Sequence, residues 1–387
     1  MKTEQQNVSE EDLVAVTERN TRLKTSINGR EPIPVDLTLE ICSRLPAKST
    51  SRLRCVSKLW DSIPRLPYFT ELFLTRSLSR PRLLFASRKD NHVFFFSSPQ
   101  PQNLDDNNSS VLTATYHMKT PYHATSFERC SSVRSLIFVG DERILKEKKH
   151  KVSVICNPST GQSVTLPKLK TRKRIGMRSY FGYEPIEKQY KVLSMTWKFD
   201  EIGSSEEHQV LTLGTGGKLS WRRIKCCIPH SFYYNYDHVC IDGVLYYPAL
   251  KTSSRDCIIV LFDLRSEKFR FVEDTDPLTD SYYCSPLINY NEDAEKHEWS
   301  EHIYVLPALW KNIVGGEDAV LRIVGVTRTN EIVLSFPYQS TPLVYVFYYN
   351  TERNEIRRVE IQGMEAFMGH YIYTFLDHVE DVNVRHI

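Results

Sequence analysis

The sequence predicts an α+β multidomain chain, with a short N-terminal unit of three helices followed by an all-β, irregular propeller-like domain. Three observations carry that expectation. Apolar residues recur at helical spacing between Ile33 and Phe69. From Arg82 onward that spacing gives way to short β-rich runs set between turn residues. One strand–turn–strand pattern then occurs three times.

Residues 1–28 are polar and charged, and Leu13, Val16 and Leu23 are too sparse to pack a helical face. A flexible tail is expected there. The helical unit is placed at 29–75. Pro34 suits a helix start, where an N–H has no partner to lose, and Asp36 puts negative charge in the first turn. Leu37, Ile41 and Leu45 recur every fourth residue and share one face, until Pro46 breaks the helix. A second run carries Leu53, Val56 and Trp60 on an apolar face, with Arg52, Arg54 and Lys58 elsewhere. Pro64 and Pro67 are expected to stop the third helix, with Thr70–Arg80 as a bridge. A domain this small buries only about 60% of its unfolded surface. Its surplus apolar face therefore wants a partner.

The β domain is placed at 82–387. Its expected strands include Arg82–Ala86, His92–Phe96, Val152–Cys156, Tyr190–Met195, Val244–Tyr247, Ile258–Phe262, Ile303–Leu306, Val344–Tyr348 and Tyr371–Phe375. The segments Val152–Pro167, Ile258–Glu273 and Val344–Glu360 align as strand, polar turn and strand, the turns beginning at Asn157, Asp263 and Asn350. Their separations are about two 40–50-residue blade periods. Intervening units fit at Ser179–Ile224, with a turn at Gly214–Gly217, and in degraded form between Tyr282 and Thr327. Radial stacking of such units into roughly six blades is the expected architecture.

Composition bounds the function. The 387 residues hold 50 basic and 47 acidic side chains, a net charge of +3 that points to no nucleic acid. The longest apolar run, Cys257–Phe262, is too short to span a membrane. The polar N-terminus resembles no signal peptide. Nine cysteines in such a chain read as reduced intracellular thiols, with nucleus and cytoplasm not distinguished. No GxSxG or HExxH motif is present. GTGGK (Gly214–Lys218) fails the phosphate-loop spacing, and Leu219 stands where that motif has a hydroxyl. There is no CxxC, and the adjacent Cys226 and Cys227 are expected on opposite sheet faces. Lone histidines such as His123 and His238 read as surface or core residues. No cofactor, metal site or catalytic residue is therefore expected. The basic run Lys168, Lys170, Arg172, Lys173 and Arg174 reads first as a solvated loop and second as an import signal or acidic-partner patch. Phe232, Tyr233, Tyr234 and Tyr236 are candidate target-binding residues, since aromatic side chains dominate binding hot spots. Interblade packing is the other reading of them.

The order of pieces in Ile33–Phe69 resembles an F-box. These are the apolar-Pro-x-Asp-Leu start, Arg-Leu-Pro-x-Lys-Ser, and Arg-Leu-Arg-Cys-Val-Ser-Lys-x-Trp. A generic helical hairpin does not reproduce them in sequence. ICNPSTGQSVTLPKLK, FGYEPIEKQYKVL, VCIDGVLYYPA, FDLRSEKFRF, KHEWSEHIYVLPALWKN and VFYYNTERNEIRRVEIQG resemble the plant F-box-associated domain, type 3-like. The resemblance implies a non-catalytic substrate-receptor subunit of an SCF-type cullin–RING ubiquitin ligase. Such a chain docks a small adaptor, and through it cullin and RING subunits, while its β domain holds a target protein. The adaptor-facing residues would be Pro34, Leu37, Ile41, Leu45, Pro46, Ser49, Leu53, Val56 and Trp60. Spacing alone leaves Leu37 and Leu45 as either contact or core, and a fully buried Trp60 ring would be worth about 3–5 kcal/mol. Thr50 stands where the family favours an aliphatic residue, and Pro64 where the third helix often continues. After Leu287–Asn291 a strand pair usual in the family is missing. The alternative function is an F-box-bearing small-molecule or glycan-binding module.

Overall fold

The computed structural model describes residues 33–382 apart from 102–110, 124–129, 146–147, 170–174, 199–204, 215–216, 233–237, 255, 274–286, 288–303, 308–309, 315–319, 339–340 and 342. The expected tail, most of the basic run and the missing strand pair lie outside them. Two compact units emerge. The first ends at Ser79 and takes in Glu380–Asn383; the second is Arg80–Val379 with Val384–Ile387.

The first unit has four helices where three are expected. They are α1 (Val35–Arg44), α2 (Ala47–Leu53), α3 (Lys58–Ser62) and α4 (Pro67–Leu78), with a 3-10 turn at Ile63–Arg65. The discrepancy comes from proline. Pro67 does not stop a helix but opens α4, at a position that needs no N–H. Most of the expected bridge is thus helical, and it supplies Phe69 and Phe73, both fully buried and 6.0 Å apart. They pack with Leu39, Cys42, Ala47, Ile63, Leu66 and Val382. Thr50, placed where an aliphatic is usual, is also buried. Its hydroxyl lies within reach of the Cys42 and Pro46 carbonyls, at 3.3 and 3.4 Å, so its polarity is satisfied. Glu40 ties α1 to α4 by accepting from Arg76 at 2.5 Å, and it also accepts from Arg44 at 2.6 Å.

The second unit contains five sheets among the described residues, not six. The first blade is Arg82–Lys89, His92–Pro99 and Thr115–Pro121, completed by Ile372–His378 from the far end of the chain. The second is Cys130–Val133, Leu136–Leu145, Lys148–Asn157 and Gln162–Thr165. The third is Ile175–Glu184, Gln189–Lys198, Ser205–Thr212 and Arg222–Ile224. In the fourth, His230–Phe232 and Val239–Ile241 both pair with Val244–Lys251, which is followed by Cys257–Asp263 and Lys268–Glu273. The fifth is Arg322–Val326, Glu331–Ser335, Val344–Asn350 and Glu355–Gln362, with Val111–Thr113 added in parallel.

The count falls to five because Arg322–Val326, part of the expected degraded unit, opens the fifth blade instead of standing in one of its own. Tyr304–Leu306, within an expected strand, is irregular and packs on the fifth blade. The three aligned segments are the last two strands in chain order of the second, fourth and fifth blades. Their turns share one device. Asn157 Oδ1 accepts from the Ser159 and Thr160 amides, Asp263 Oδ1 from Ser266, and Asn350 Oδ1 from Glu352 and Arg353. Four residues on, Gly161, Glu267 and Asn354 each take positive φ, which lets the chain reverse.

Buried clusters fill the junctions between the first and second, second and third, third and fourth, and fifth and first blades. At the third–fourth junction Gly182 is required by space. An added Cβ would lie 2.7 Å from Leu264, 2.9 Å from Leu245 and 3.0 Å from Cys240. Lys191, buried at the same junction, donates to the Leu264 carbonyl at 2.6 Å and to Glu267 at 3.0 Å. Among the described residues seven cysteines are free thiols. Cys257 is disulfide-bonded, against the expectation that all are reduced, because scattered sequence positions do not reveal spatial pairing.

Candidate functional site: an outward apolar face

Two faces of α1 are apolar, and they do different work. Thr38, Leu39, Cys42 and Ser43 turn inward and are buried. Leu37 and Ile41 turn outward and are 51% and 52% exposed. Pro34 and Pro46 are also exposed, while Leu45 and Ser49 are half-buried. Val56, in the turn after α2, is 66% exposed. Leu53 and Trp60 are half-buried against the unit's core. The choice that spacing leaves open for Leu37 thus resolves to the surface. Trp60 is not fully buried, so its truncation costs less than a core ring does.

Arginine–carboxylate pairs hold this face in place. Asp61 on α3 accepts from Arg54 at 2.9 Å and from Arg65 at 2.8 Å. The hydrogen bond from Arg54 holds the Asp61 carboxyl below its usual range. Arg76 first, then Arg44, does the same for Glu40. Two apolar contributors escape the sequence reading: Ile33, 64% exposed, and Tyr68, 68% exposed. Tyr68 follows Pro67, where the sequence predicts the helices to stop, and it lies instead in the first turn of α4.

The β domain offers a different surface. Of the candidate target-binding aromatics, Phe232 has its backbone in an edge strand. Its side chain and Tyr233, Tyr234 and Tyr236 lie outside the described residues. The described structure exposes Val111, Tyr116 and Met368 instead. Tyr116 stands edge-on to Phe96 at 5.6 Å, and Phe96 to Phe367 at 5.2 Å. Lys89 lies over the Phe367 ring and Lys119 over Phe94. No sequence signal joins these residues, which come from the first blade, the parallel edge strand of the fifth and the turn after the fifth. Among the described residues no helix is long and apolar enough to cross a membrane.

A helical unit with an outward apolar face, followed by a five-bladed β domain, defines a class of two-part modular proteins. The chain belongs to the F-box proteins that carry an F-box-associated propeller. The F-box domain model matches residues 32–72. The F-box associated beta propeller domain matches 82–291 and 292–379. Among its relatives in Arabidopsis thaliana, F-box protein DOR is 52% identical, covering 99% of this chain and 100% of its own. F-box protein At5g65850 is 47% identical over 100% of this chain and 99% of its own. TolB from Acinetobacter baumannii, 7% identical over 77% of this chain and 67% of its own, aligns at a TM-score of 0.27, too low to bear on the fold.

Proposed function

We propose that this chain is a substrate-receptor subunit of an SCF-type cullin–RING ubiquitin ligase, docking the adaptor through Leu37, Ile41 and Val56 and a target protein through the β domain. The observation that carries the reading is the exposed apolar stripe on α1. A helix in a small unit normally turns its apolar residues inward; here the inward face is already filled by others. Pro34, Leu45, Pro46, Ser49, Leu53 and Trp60 flank the stripe and shape it. The chain then contributes proximity: it tethers a target near the ubiquitin-charged enzyme and raises its effective concentration. No bond is made or broken by its own side chains.

The test uses the full chain. A 29–75 fragment would cut α4 short and lose Val382 from the core. Purified adaptor subunit should be retained by the wild type and not by Leu37→Asp with Ile41→Asp, both proteins giving the same melting curve. Failure of the folded wild type to retain the adaptor would overturn the proposal.

A further inference from the structure

Three soft donors converge at the junction of the third and fourth blades. His208 lies on the strand Ser205–Thr212, and His230 begins the strand His230–Phe232. Cys226 sits on the connection between the blades. One ligand atom from each lies within 4.8 Å of the other two. Cys226 Sγ is already 3.9 Å from His230 Nδ1. The sequence reading missed this group because Cys226 and Cys227 do not alternate along a strand. The chain bends there, leaving Cys227 exposed and Cys226 half-buried, turned toward the histidines.

We infer that His208, Cys226 and His230 form a binding site for a divalent zinc ion that staples the third blade to the fourth. The plain alternative is a pair of core histidines beside aromatic rings, and Phe269 does lie 5.2 Å from His208. Two details favour the ion. Nε2 of His208 is buried with no hydrogen-bond partner, an expensive state for a core imidazole. His230 also becomes a ligand by a change of tautomer that the surrounding groups can accommodate. Its Nε2 is 3.1 Å from Tyr247 Oη, which in turn donates to Met195 Sδ at 3.6 Å. As it stands, Nδ1 donates its proton to the Ile228 carbonyl; moving that proton to Nε2, where Tyr247 Oη can accept it, would turn the Nδ1 lone pair toward the cysteine sulfur. Metal-bound histidines characteristically donate their second nitrogen in this way.

Binding would cost His230 Nδ1 its 2.9 Å contact with the Ile228 carbonyl. The widest donor pair would also close by about an ångström to reach zinc–nitrogen and zinc–sulfur bonds of about 2.0–2.3 Å. Burial already keeps the His208 ring neutral, its pKa lowered to about 3, and lowers that of His230 as well. Burial raises the Cys226 thiol to about 11. Zinc entry therefore forms one Zn–S and two Zn–N bonds and releases the Cys226 thiol proton to solvent. Two imidazoles and one thiolate suit zinc or copper rather than magnesium or calcium. They leave a fourth position for water.

The experiment is a cobalt(II) titration of the reduced full chain, followed by zinc displacement. One equivalent should produce a thiolate-to-cobalt charge-transfer band that zinc abolishes. Cys226→Ser should remove the band and Cys227→Ser should retain it. His208→Gln should weaken affinity beyond the about 10–100-fold typical of outer-shell changes, which is the loss expected for Tyr247→Phe. Should the core variants fail to fold, wild-type protein decides: zinc should protect Cys226, and not Cys227, from alkylation. Absence of a band with no protection, a band surviving in Cys226→Ser, or binding of copper(I) but not zinc would each overturn the assignment. None of these readouts depends on adaptor binding.

Discussion

The helical unit and the β domain manage apolar surface in opposite ways. Among the described residues, five of the thirteen exposed large apolar side chains fall between Ile33 and Tyr68, a small fraction of the chain. The β domain spreads the other eight over five blades and buries rows such as Leu83–Ala86 and Val244–Ala249. A sheet can hide both faces between neighbouring blades. Four short helices around one core cannot, and α1 leaves a second apolar face outside. One unit is organised to be complete, the other to be completed.

The sharpest way to break this comparison is to attack the inner and outer faces of the helical unit separately. Phe73→Ala, in the core, should cost about 3–5 kcal/mol of stability. It should unfold the helical unit while the β domain melts as before, by calorimetry. Trp60→Ala should cost clearly less. Equal costs would mean that half-burial misstates the packing of Trp60. Leu37→Asp with Ile41→Asp should leave the melting curve in place and reduce adaptor affinity by at least about 2 kcal/mol, as loss of a hot spot does. Calorimetric titration distinguishes the two outcomes. Gly182→Ala strikes the β domain instead. Its Cβ has no room between Leu264 and Leu245, and overpacking of this kind costs about 1–3 kcal/mol. Denaturant unfolding should show the loss without any change in adaptor binding.

The two units also differ in their response to pH. Burial lowers the His378 pKa to about 3, helped by nearby His117 and Arg82. Burial likewise lowers His238 to about 4, with Arg178 adding to the shift. Unfolding restores both toward about 6.5. Above that value neither contributes a pH dependence. As pH falls below it, the unfolded state takes up protons that the folded state refuses, and stability drops. Each histidine accounts for about 1.4 kcal/mol per pH unit until its folded pKa is reached. In the helical unit Glu40 and Asp61 have lowered pKa values, so its loss should begin only in the carboxylate range. Melting at pH 5 should therefore weaken the β domain first. The reverse order would contradict the assigned burial of His238 and His378.

Much of this was legible in the sequence because its causes are local. The period of Leu37, Ile41 and Leu45 shows a face, and Asn157, Asp263 and Asn350 mark turns that their own side chains close. What escaped depends on distance. Pro67 looks like a terminator unless Phe69 and Phe73 are known to have a core to enter. The blade count miscarries because Arg322–Val326 pairs with the strand that follows it and so opens the fifth blade. No spacing rule brings Cys226 to His208 across two blades. Nor does any periodicity say whether Leu37 faces inward; only the residues that fill the other side decide that.

The last described residues carry a consequence for how the protein is made. Ile372–His378 lies along Arg82–Lys89 to finish the first blade, and a few residues later Val382 enters the core beneath α1 and α4. During translation the N-terminal helices emerge first, yet their core lacks Val382 until the β domain has been made. A prematurely terminated chain would expose an unpaired strand edge, an invitation to aggregation, together with an underfilled helical core. The segment from Ile372 to Val382 thus finishes the first blade and then the docking unit only after the other four blades have been made.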